Sequence, residues 1–292
     1  MDQLVARQGN TKRLKKMLAQ LQFPAVMGIL NVTPDSFSDG GKYASLDLAL
    51  EHAGHMIDEG ADIIDIGGES TRPGAAPVTA AEELNRVVPL VRSLRQISNI
   101  PISIDTSSPE VITAAAEAGA NLINDVRSLR REGALEAAAA SRLTVCLMHM
   151  QGNPETMQMD PHYVDLIADI KVFLAQRIAA CLAMGIREEQ LILDPGFGFG
   201  KTPEHNLRLV NCLSEFKILG RPLLVGLSRK STLGKILDGS PGEKKQALLF
   251  GSVAGALIAV NNGASIVRVH DVAATVAALK VRKAVEMERA DL

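Results

Sequence analysis

Short runs of Ile, Leu and Val recur along this chain, and longer segments with a helical spacing of apolar residues separate them. The runs show almost no alternation of polar and apolar residues, which is typical of parallel strands buried on both faces. We predict eight strands, at residues 26–30, 63–66, 102–104, 122–123, 145–148, 191–193, 223–225 and 266–269. The pattern therefore predicts an α/β fold with parallel strands.

Helix boundary signals stand between the predicted strands. Thr79 and Glu82 have the spacing of a capping box. Ser108 and Thr202 each precede a proline that can occupy the first helical position. Asp271 follows the last predicted strand, where it would cap the final helix. Each strand is thus followed by a helix before the next strand begins.

Repeated β/α units without a Pro- or Ser-rich linker indicate one domain. They fit a single (β/α)8 TIM barrel better than two doubly wound sheets. We assign residues 25–285 to this barrel and residues 1–24 to an N-terminal extension. The roles of residues 1–24 and 238–245 stay open at this stage.

Charge and apolar run length exclude two classes of partner. The formal net charge is −2, and the chain has no Trp and two Tyr, so it lacks the basic excess and the stacking residues of a nucleic-acid-binding protein. The longest apolar run, residues 247–260, is shorter than the roughly 20 residues of a membrane span. We predict that it forms a buried helix and that the protein binds neither nucleic acid nor membrane.

The three cysteines, Cys146, Cys181 and Cys212, are too widely spaced for a Cys-x-x-Cys site and too few for a disulfide framework. The first residues alternate Leu with Arg and Lys, so they have no continuous apolar segment of a signal peptide. We expect small core thiols in a cytoplasmic protein.

Polar residues directly follow the predicted strands, and in a TIM barrel the chemistry lies at these carboxyl ends. Any one of them could merely satisfy loop backbone groups, but eight such endings would converge on a single mouth. They are Asn31, residues 69–72, Asp105, Asn124, His149, Asp194, residues 228–231 and residues 268–271.

Two of the following loops, residues 31–41 and 70–77, are rich in small, turn-forming and hydroxyl residues. This composition suits mobile lids that close over a ligand, although a purely connecting role is the alternative.

Charge divides the expected mouth into two halves. Cationic side chains without obvious acidic neighbours to pair them favour a phosphate-like anion, and they are Arg72, Arg229, Lys230, Arg268 and His270. Acceptors placed deep in the mouth favour a flat heterocycle rich in N–H groups, and they are Asp105, Asn124 and Asp194. Asn31 and Asp35 are hard oxygen ligands that could share Mg²⁺ with phosphate oxygens.

Two Gly-rich segments lack the motifs that they suggest at first sight. In residues 195–202, Pro195 stands in place of the first Gly of a phosphate loop, and Lys201 in place of the third Gly of a dinucleotide fingerprint. Residues 226–230 lack the closing Gly of a nucleophile elbow. No pair of His or Cys has the spacing of a zinc site.

The order and length of the motifs make the sequence recognisable. Between Val26 and Leu279 it resembles the bacterial dihydropteroate synthases, the folate-pathway enzymes that sulfonamides inhibit. The resemblance rests on residues 27–41 (MGILNVTPDSFSDGG), 67–74 (GGESTRPG), 193–199 (LDPGFGF), 228–231 (SRKS) and 268–271 (RVHD).

This resemblance implies a Mg²⁺-dependent reaction that joins 4-aminobenzoate to (7,8-dihydropterin-6-yl)methyl diphosphate and releases diphosphate. It assigns the pterin to Asp105, Asn124, Asp194 and Lys230. It assigns the diphosphate to Asn31, Arg72, Arg268, Val269 and His270, with Asn31 also a metal ligand. It assigns the aminobenzoate to Thr71, Pro73, Phe199, Lys230 and Ser231.

Among these residues we expect Asp105, Lys230, Arg268 and His270 to act in catalysis. A dihydropterin can delocalise positive charge onto its methylene carbon, so diphosphate can leave before the amine attacks. An arylamine is largely unprotonated at neutral pH, so no dedicated base is expected. The resemblance also implies a homodimer, which the apolar final helices would suit.

Three other functions fit the sequence less well. A pterin-dependent methyltransferase would share the barrel and the acidic pterin pocket but would not need residues 228–231 or the two Gly-rich lids. A non-catalytic pterin-binding relative would lose lid or anion-binding residues. A barrel with phosphosugar chemistry would carry a Schiff-base lysine within a strand and would gain nothing from the buried acceptors.

Overall fold

The apolar runs form the parallel strands that the sequence predicts. A computed structural model describes residues 24–32, 42–70, 78–153, 156–237 and 241–290. The strands are β1 (Ala25–Asn31), β2 (Ile63–Gly67), β3 (Ile102–Asp105), β4 (Leu122–Asp125), β5 (Thr144–Met148), β6 (Leu191–Asp194), β7 (Leu224–Val225) and β8 (Ile266–Val269). All eight predicted strands are confirmed within a residue or two at their ends.

The strands form one curved sheet in the order β6-β5-β4-β3-β2-β1-β8-β7. All the pairings are parallel, and a further parallel bridge joins Leu193 on β6 to Leu223 just before β7. This bridge brings the two ends of the sheet together. The single (β/α)8 TIM barrel is therefore confirmed.

Helices alternate with the strands and cover the outside of the barrel. In the described residues they are α1 (Lys42–Asp58), α2 (Ala80–Ile97), α3 (Pro109–Ala118), α4 (Ala134–Ser141), α5 (Leu166–Ala183), α6 (Pro203–Asn211), α7 (Ser231–Ile236), α8 (Pro241–Asn261) and α9 (Val272–Met287). Short 3₁₀ helices span Glu188–Gln190 and Leu213–Leu219. Residues 1–23 lie outside the described part, so the N-terminal extension stays a prediction.

Two of the predicted caps form as the sequence suggests. Thr79 and Glu82 make the capping box of α2, and the Thr202 hydroxyl accepts a hydrogen bond from the backbone N–H of His205 at the start of α6. Ser108 precedes α3 as predicted, but its hydroxyl donates to the Glu110 carboxylate and makes no cap bond. The prediction that Asp271 caps α9 is wrong, because its carboxylate accepts hydrogen bonds from Arg229 instead.

The prediction that residues 247–260 form a buried helix is only half right. They lie within α8, where Ser252, Ala256 and Ala259 are buried. Phe250 and Ile258 are exposed, because α8 lies on the outer surface with only one face against the barrel. None of the described helices is both long and apolar enough to cross a membrane.

The core has two main layers because successive strand side chains point to opposite faces of a sheet. The larger layer packs the outward strand side chains against the helices. A smaller layer fills the inside of the barrel, and its members are Ala25, Met27, Ile63, Leu122, Cys146, Ile192, Leu224 and Ile266. On five strands an inward apolar residue is followed two or four residues later by a polar side chain toward the carboxyl end of the barrel. These polar residues are Asn31, Asp65, Asn124, Asp194 and Arg268.

Candidate active site

The inward positions above the apolar layer carry polar side chains. On β2, Asp65 shares the inward face of Ile63, and on β8, Arg268 shares that of Ile266. The same alternation turns Asn124 inward above Leu122, and the strand register places it beside Asp105 on β3. The barrel thus changes from apolar to polar toward the carboxyl ends of its strands, as the sequence predicts.

Arg268 lies at the centre of this polar layer. Its Nε donates to Asp65 Oδ2 at 2.6 Å and its Nη2 donates to Asp105 Oδ2 at 2.9 Å. Asn124 Nδ2 also donates to Asp65 Oδ2, at 3.1 Å. Burial raises the pKa of Asp105 above its ordinary value, although Arg268 opposes this shift. The Arg268 guanidinium therefore binds the carboxylates of Asp65 and Asp105, and Asp65 in turn binds the Asn124 amide.

These contacts correct the prediction that the cations of the mouth lack acidic neighbours. Arg268 is paired with two carboxylates that are distant in sequence. Arg229 donates to Asp271 through both Nε and Nη2, and its backbone N–H donates to Ser252 Oγ at 2.9 Å. Arg229 therefore ties the loop after β7 to the start of α9.

Asp194 and Lys230 influence each other through their charges. Asp194 is buried, and its Oδ1 accepts a hydrogen bond of 2.7 Å from the backbone N–H of Gly196. Burial raises the pKa of Asp194, against the opposing charge of Lys230. Burial lowers the pKa of Lys230 to about 8, again against the opposing charge of Asp194. Each charge thus offsets part of the desolvation cost of the other.

The loop after β6, residues 195–200, forms one wall of the mouth. Side chains donate to each of its carbonyls from Gly196 to Gly200: Lys201 to Gly196 at 2.9 Å and to Phe199 at 3.1 Å, Lys230 to Phe197, Gln158 to Gly198 at 2.6 Å, and Tyr163 to Gly200 at 2.6 Å. Lys230 Nζ also lies 4.5 Å from the centroid of the Phe199 ring. The wall that presents Phe199 is therefore held by bonds from several elements, Lys230 among them.

Lys201 is buried behind this loop, although nothing in the sequence motif marks it. Its Nζ lies 2.9 Å from Nδ1 of His149, which is also buried. Burial, with the nearby charge of Lys201, lowers the pKa of His149 to about 2, so the imidazole is neutral and accepts the bond. Burial likewise lowers the pKa of Lys201 to about 7. His149, which the sequence placed at a strand end, thus supports the loop from behind.

Ser228 and His270 join the ends of β7 and β8. The backbone N–H of His270 donates to Ser228 Oγ at 3.2 Å, and Nδ1 of the His270 ring lies 3.1 Å from the same hydroxyl. Val269 is buried beneath this residue. Ser228 thus fixes the orientation of the His270 ring.

Asn31 ends β1 and is half-buried at the mouth, in register with Gly67. A Cβ at Gly67 would lie 3.3 Å from Asn31 Oδ1, so the glycine leaves room for this amide. The described residues contain no group of three or more His, Cys, Asp or Glu that could hold a metal by itself. A hard amide oxygen still fits Mg²⁺, which usually keeps few protein ligands and takes the rest from substrate phosphates and water.

The structure brings together the predicted residues Asn31, Asp105, Asn124, Asp194, Lys230, Arg268 and His270 at the carboxyl end of the barrel. Phe199 lies in the loop after β6, against Lys230, and Ser231 follows Lys230 as the first residue of α7. Most of both predicted lids, residues 33–41 and 71–77, lies outside the described residues. This part includes Asp35, Thr71, Arg72 and Pro73. Sequence reasoning missed Asp65, whose signal was its place two residues after Ile63 on the inward face.

Comparisons with known proteins agree with this geometry. A family model described as pterin binding enzyme matches residues 27–270. The chain is 56% identical over 264 residues to the dihydropteroate synthase of Escherichia coli K12, covering 90% of this chain and 92% of that protein. Among solved structures, the Yersinia pestis dihydropteroate synthase with a sulfonamide drug complex superposes with a TM-score of 0.85 at 54% identity, covering 92% of this chain and 96% of that one.

A second solved structure, the Xanthomonas albilineans dihydropteroate synthase with 4-aminobenzoic acid, also has a TM-score of 0.85. It is 48% identical to this chain and covers 91% of it, while 94% of that chain is matched. The likeness thus extends over the whole barrel in both sequence and fold.

Proposed function

This chain belongs to the pterin-binding enzyme family, among the dihydropteroate synthases, and we propose that its barrel mouth carries out their condensation with the residues described above. The substrates are 4-aminobenzoate and (7,8-dihydropterin-6-yl)methyl diphosphate, and the products are 7,8-dihydropteroate and diphosphate. The observation that carries this proposal is a cluster of interacting polar side chains above an apolar barrel floor. Hydrogen bonds join Arg268 to Asp105 and, through Asp65, to Asn124, and the charges of Asp194 and Lys230 act on Arg268 and on each other.

The pterin lies among Asp105, Asn124, Asp194 and Lys230. Its flat ring offers several N–H donors, and the two carboxylates and the amide oxygen are suited to accept them. Lys230 supplies the complementary donor. The raised pKa values of Asp105 and Asp194 reflect burial without a ligand, and ring N–H groups would compensate that desolvation.

The diphosphate lies over Asn31, Arg268, Val269 and His270, with Arg72 from the loop after β2. Arg268 can exchange part of its contact with Asp65 and Asp105 for phosphate oxygens, because a guanidinium carries more donors than these carboxylates use. Nδ1 of the His270 ring faces the Ser228 hydroxyl, and we assign Nε2 to the diphosphate oxygens. We assign Mg²⁺ to Asn31, and a bound Mg²⁺ would neutralise charge on the diphosphate.

Carbon–oxygen cleavage at the pterin methylene sends its electron pair to the departing diphosphate. Arg268 and His270 stabilise the negative charge that develops there, and Asp105 faces the positive charge that spreads into the ring. The amine of 4-aminobenzoate then forms the new carbon–nitrogen bond and releases one proton to solvent. Because the amine is already unprotonated, positioning and electrostatics supply most of the acceleration.

The 4-aminobenzoate lies between Phe199 and the start of α7, against Lys230 and Ser231, with Thr71 and Pro73 from the loop after β2. Phe199 offers a half-buried ring, and Lys230 lies 4.5 Å above it. A sulfonamide, which resembles 4-aminobenzoate in shape and charge, would compete for the same place.

The test of this function is product formation. Purified protein is incubated with the pterin diphosphate, Mg²⁺ and 4-aminobenzoate, and dihydropteroate is sought by mass spectrometry. A Lys230→Met variant is the control, since methionine has a side chain of similar length but lacks the ammonium donor. Absence of product from the wild-type protein with authentic substrates would refute the proposal.

We also propose that the protein is a cytoplasmic homodimer that pairs through α8 and α9. Phe250 and Ile258 lie two turns apart on α8 and are 61% and 52% exposed, and Val281 and Val285 lie one turn apart on α9 and are 65% and 73% exposed. Such an apolar stripe on two neighbouring helices is typical of an interface between chains. The free thiols of Cys146, Cys181 and Cys212 suit a reducing compartment.

Sedimentation velocity tests the dimer. Val281→Glu should convert it to monomer, because the new carboxylate would be buried against a second copy. Val172→Glu is the matched control, since Val172 is 57% exposed on α5 and lies outside this stripe. A wild-type monomer at micromolar concentration, or equal behaviour of the two variants, would contradict the assignment.

A further inference from the structure

Asn206 is buried behind the mouth and belongs to neither group of proposed substrate contacts. It lies in α6, and its Oδ1 accepts a hydrogen bond of 2.7 Å from the backbone N–H of Gly198. Its Nδ2 donates to Oγ1 of Thr232 at 2.9 Å. The amide oxygen and the amide nitrogen of one side chain therefore bind two different elements, the loop after β6 and α7.

These two elements form the opposite walls of the proposed aminobenzoate pocket. Gly198 stands between Phe197 and Phe199 in the loop after β6. Thr232 is the second residue of α7 and follows Lys230 and Ser231 directly. Asn206 thus connects the wall that carries Phe199 to the wall that carries Lys230 and Ser231.

Neither wall is a long regular element, so each depends on side-chain hydrogen bonds for its position. The loop 195–200 has no strand or helix pairing, and α7 spans only six residues. A helix this short is unstable without tertiary contacts. Thr232 is the buried residue of α7, so its bond to Asn206 anchors the end of the helix that faces the mouth.

We propose that Asn206 is a positioning residue for the second substrate: it sets the gap between Phe199 and the Lys230–Ser231 end of α7. The inference rests on the proposed assignment of that pocket. Of the four residues that we assign to the pterin, Asp105 and Asn124 are held by Arg268 and Asp65 and make no described contact with Asn206. Asp194 and Lys230 lie next to the joined elements, but Phe199, Lys230 and Ser231 of the aminobenzoate pocket all lie on them. Loss of Asn206 should therefore affect the two substrates unequally.

The test compares KM for each substrate in the full-length enzyme. Asn206→Ala removes both bonds and should raise the KM for 4-aminobenzoate about tenfold, with a change below about threefold for the pterin diphosphate and for kcat. Asn206→Asp keeps the acceptor for Gly198 and can accept a hydrogen bond from the Thr232 hydroxyl, so it should restore most of the affinity. A merely structural role would not produce this split or this rescue.

Thr232→Val breaks only the second bond and gives an independent measurement if Asn206→Ala fails to fold. It should raise the KM for 4-aminobenzoate by a smaller factor. In the double variant Asn206→Ala/Thr232→Val, the two increases in the KM for 4-aminobenzoate should not add, because both changes remove the same bridge. Full additivity of the two effects would overturn the inference.

Asn262→Ala is the matched control. Asn262 Nδ2 donates to the carbonyl oxygen of Val210 at 2.8 Å. Val210 also belongs to α6, but it lies at the opposite end of that helix from the start of α6. Asn262→Ala should leave both KM values unchanged. An equal rise in both KM values for Asn206→Ala, or the same change in Asn262→Ala, would show that Asn206 only stabilises α6. If instead the wild-type protein forms no dihydropteroate, the proposed function fails before this comparison begins.

Discussion

Arg268 and Asp65 lie 203 positions apart in the chain, yet Nε of the arginine donates to Oδ2 of the aspartate at 2.6 Å across the barrel. The same oxygen accepts from Asn124 Nδ2, whereas Asp65 Oδ1 has no partner among the described residues. A single carboxylate thus orients one residue that we assign to the diphosphate and one that we assign to the pterin. A half-satisfied buried carboxylate of this kind is costly, so its position favours a role at the site over one in stability.

Asp65→Asn should lower kcat/KM by about a hundredfold, because a neutral amide cannot hold the Arg268 guanidinium through a charged hydrogen bond. Steady-state kinetics with both substrates measures this. Asp62→Asn is the control on the same segment: Asp62 accepts a hydrogen bond from the backbone N–H of Val26 at the other end of the barrel. Comparable losses of activity in the two variants would contradict a specific role for Asp65.

His270→Ala should cost about 3 kcal/mol of transition-state stabilisation, which is typical of losing one donor to a developing negative charge. Binding of a bare pterin, without diphosphate, should survive, since we assign His270 to the diphosphate and not to the pterin.

Arg268→Ala should cost at least as much, and it should also weaken the bare pterin, because it leaves Asp65 and Asp105 without their counter-charge. Kinetics and calorimetry separate the two effects. Near-normal kcat/KM in either variant would remove that residue from the leaving-group site.

Asp194→Asn should weaken the pterin more than the aminobenzoate. The asparagine can keep its oxygen on the Gly196 N–H, where Asp194 Oδ1 now accepts at 2.7 Å. Its NH₂ group would then face the ring and meet another donor, so the affinity should fall by one to two orders of magnitude, or roughly 1–3 kcal/mol. Calorimetry with a bare pterin tests this directly, and an unchanged affinity would show that Asp194 only supports the loop.

The strands were predictable because each is a run of apolar residues that must be buried on both faces. The polar ends of the strands followed from them, and the resulting positions of Asp105, Asn124 and Asp194 are confirmed at the mouth. Asp65 was not identified, because one acidic residue inside an apolar run looks like an interruption. Only the period of two, which puts Asp65 on the face of Ile63, carried the signal.

Partners from distant strands could not be predicted in the same way. The pairing of Arg268 with Asp65 and Asp105 depends on strand register, which apolar runs do not determine. Similarly, the composition of residues 247–260 indicates that they need burial, but it does not indicate whether this chain or a second copy supplies the cover. The exposed side chains of Phe250 and Ile258 are therefore visible only in the structure.

Glu83→Gln should stabilise the protein at neutral pH. Glu83 is buried on α2, and burial raises its pKa from 4.5 to about 6, against a hydrogen bond from the Thr106 side chain. Because the pKa of this carboxyl is higher in the folded state than in the unfolded state, its contribution to folding stability is fully present below about pH 4.5. That contribution is lost as the pH rises through about 6. The ionised group therefore costs at most about 2 kcal/mol above pH 6.

Thermal unfolding at pH 5 and pH 7.5 tests this sign. The gain in Tm of Glu83→Gln over wild type should be larger at pH 7.5 than at pH 5. Glu82→Gln, one position earlier, is the control, because Glu82 is exposed and accepts hydrogen bonds in the capping box with Thr79. That substitution should give no gain at pH 7.5. A gain for Glu83→Gln that is independent of pH would mean that ionisation is not the cause.

Gly196→Ala should damage the site far more than the same change at Gly220, although both glycines have positive φ values, of +77° and +67°. A Cβ at Gly220 meets no described atom within 4 Å, so only the backbone conformation is penalised, by about 1–2 kcal/mol. A Cβ at Gly196 would lie 1.8 Å from the carbonyl oxygen of His149, so the loop after β6 has to move. That movement would take the Gly196 N–H away from Asp194 and the Gly196 carbonyl away from Lys201, and kcat/KM should fall by at least a hundredfold in the protein that still folds. Activity and Tm of the two variants, measured side by side, decide the matter: equal activities would show that the position of this loop does not control the reaction.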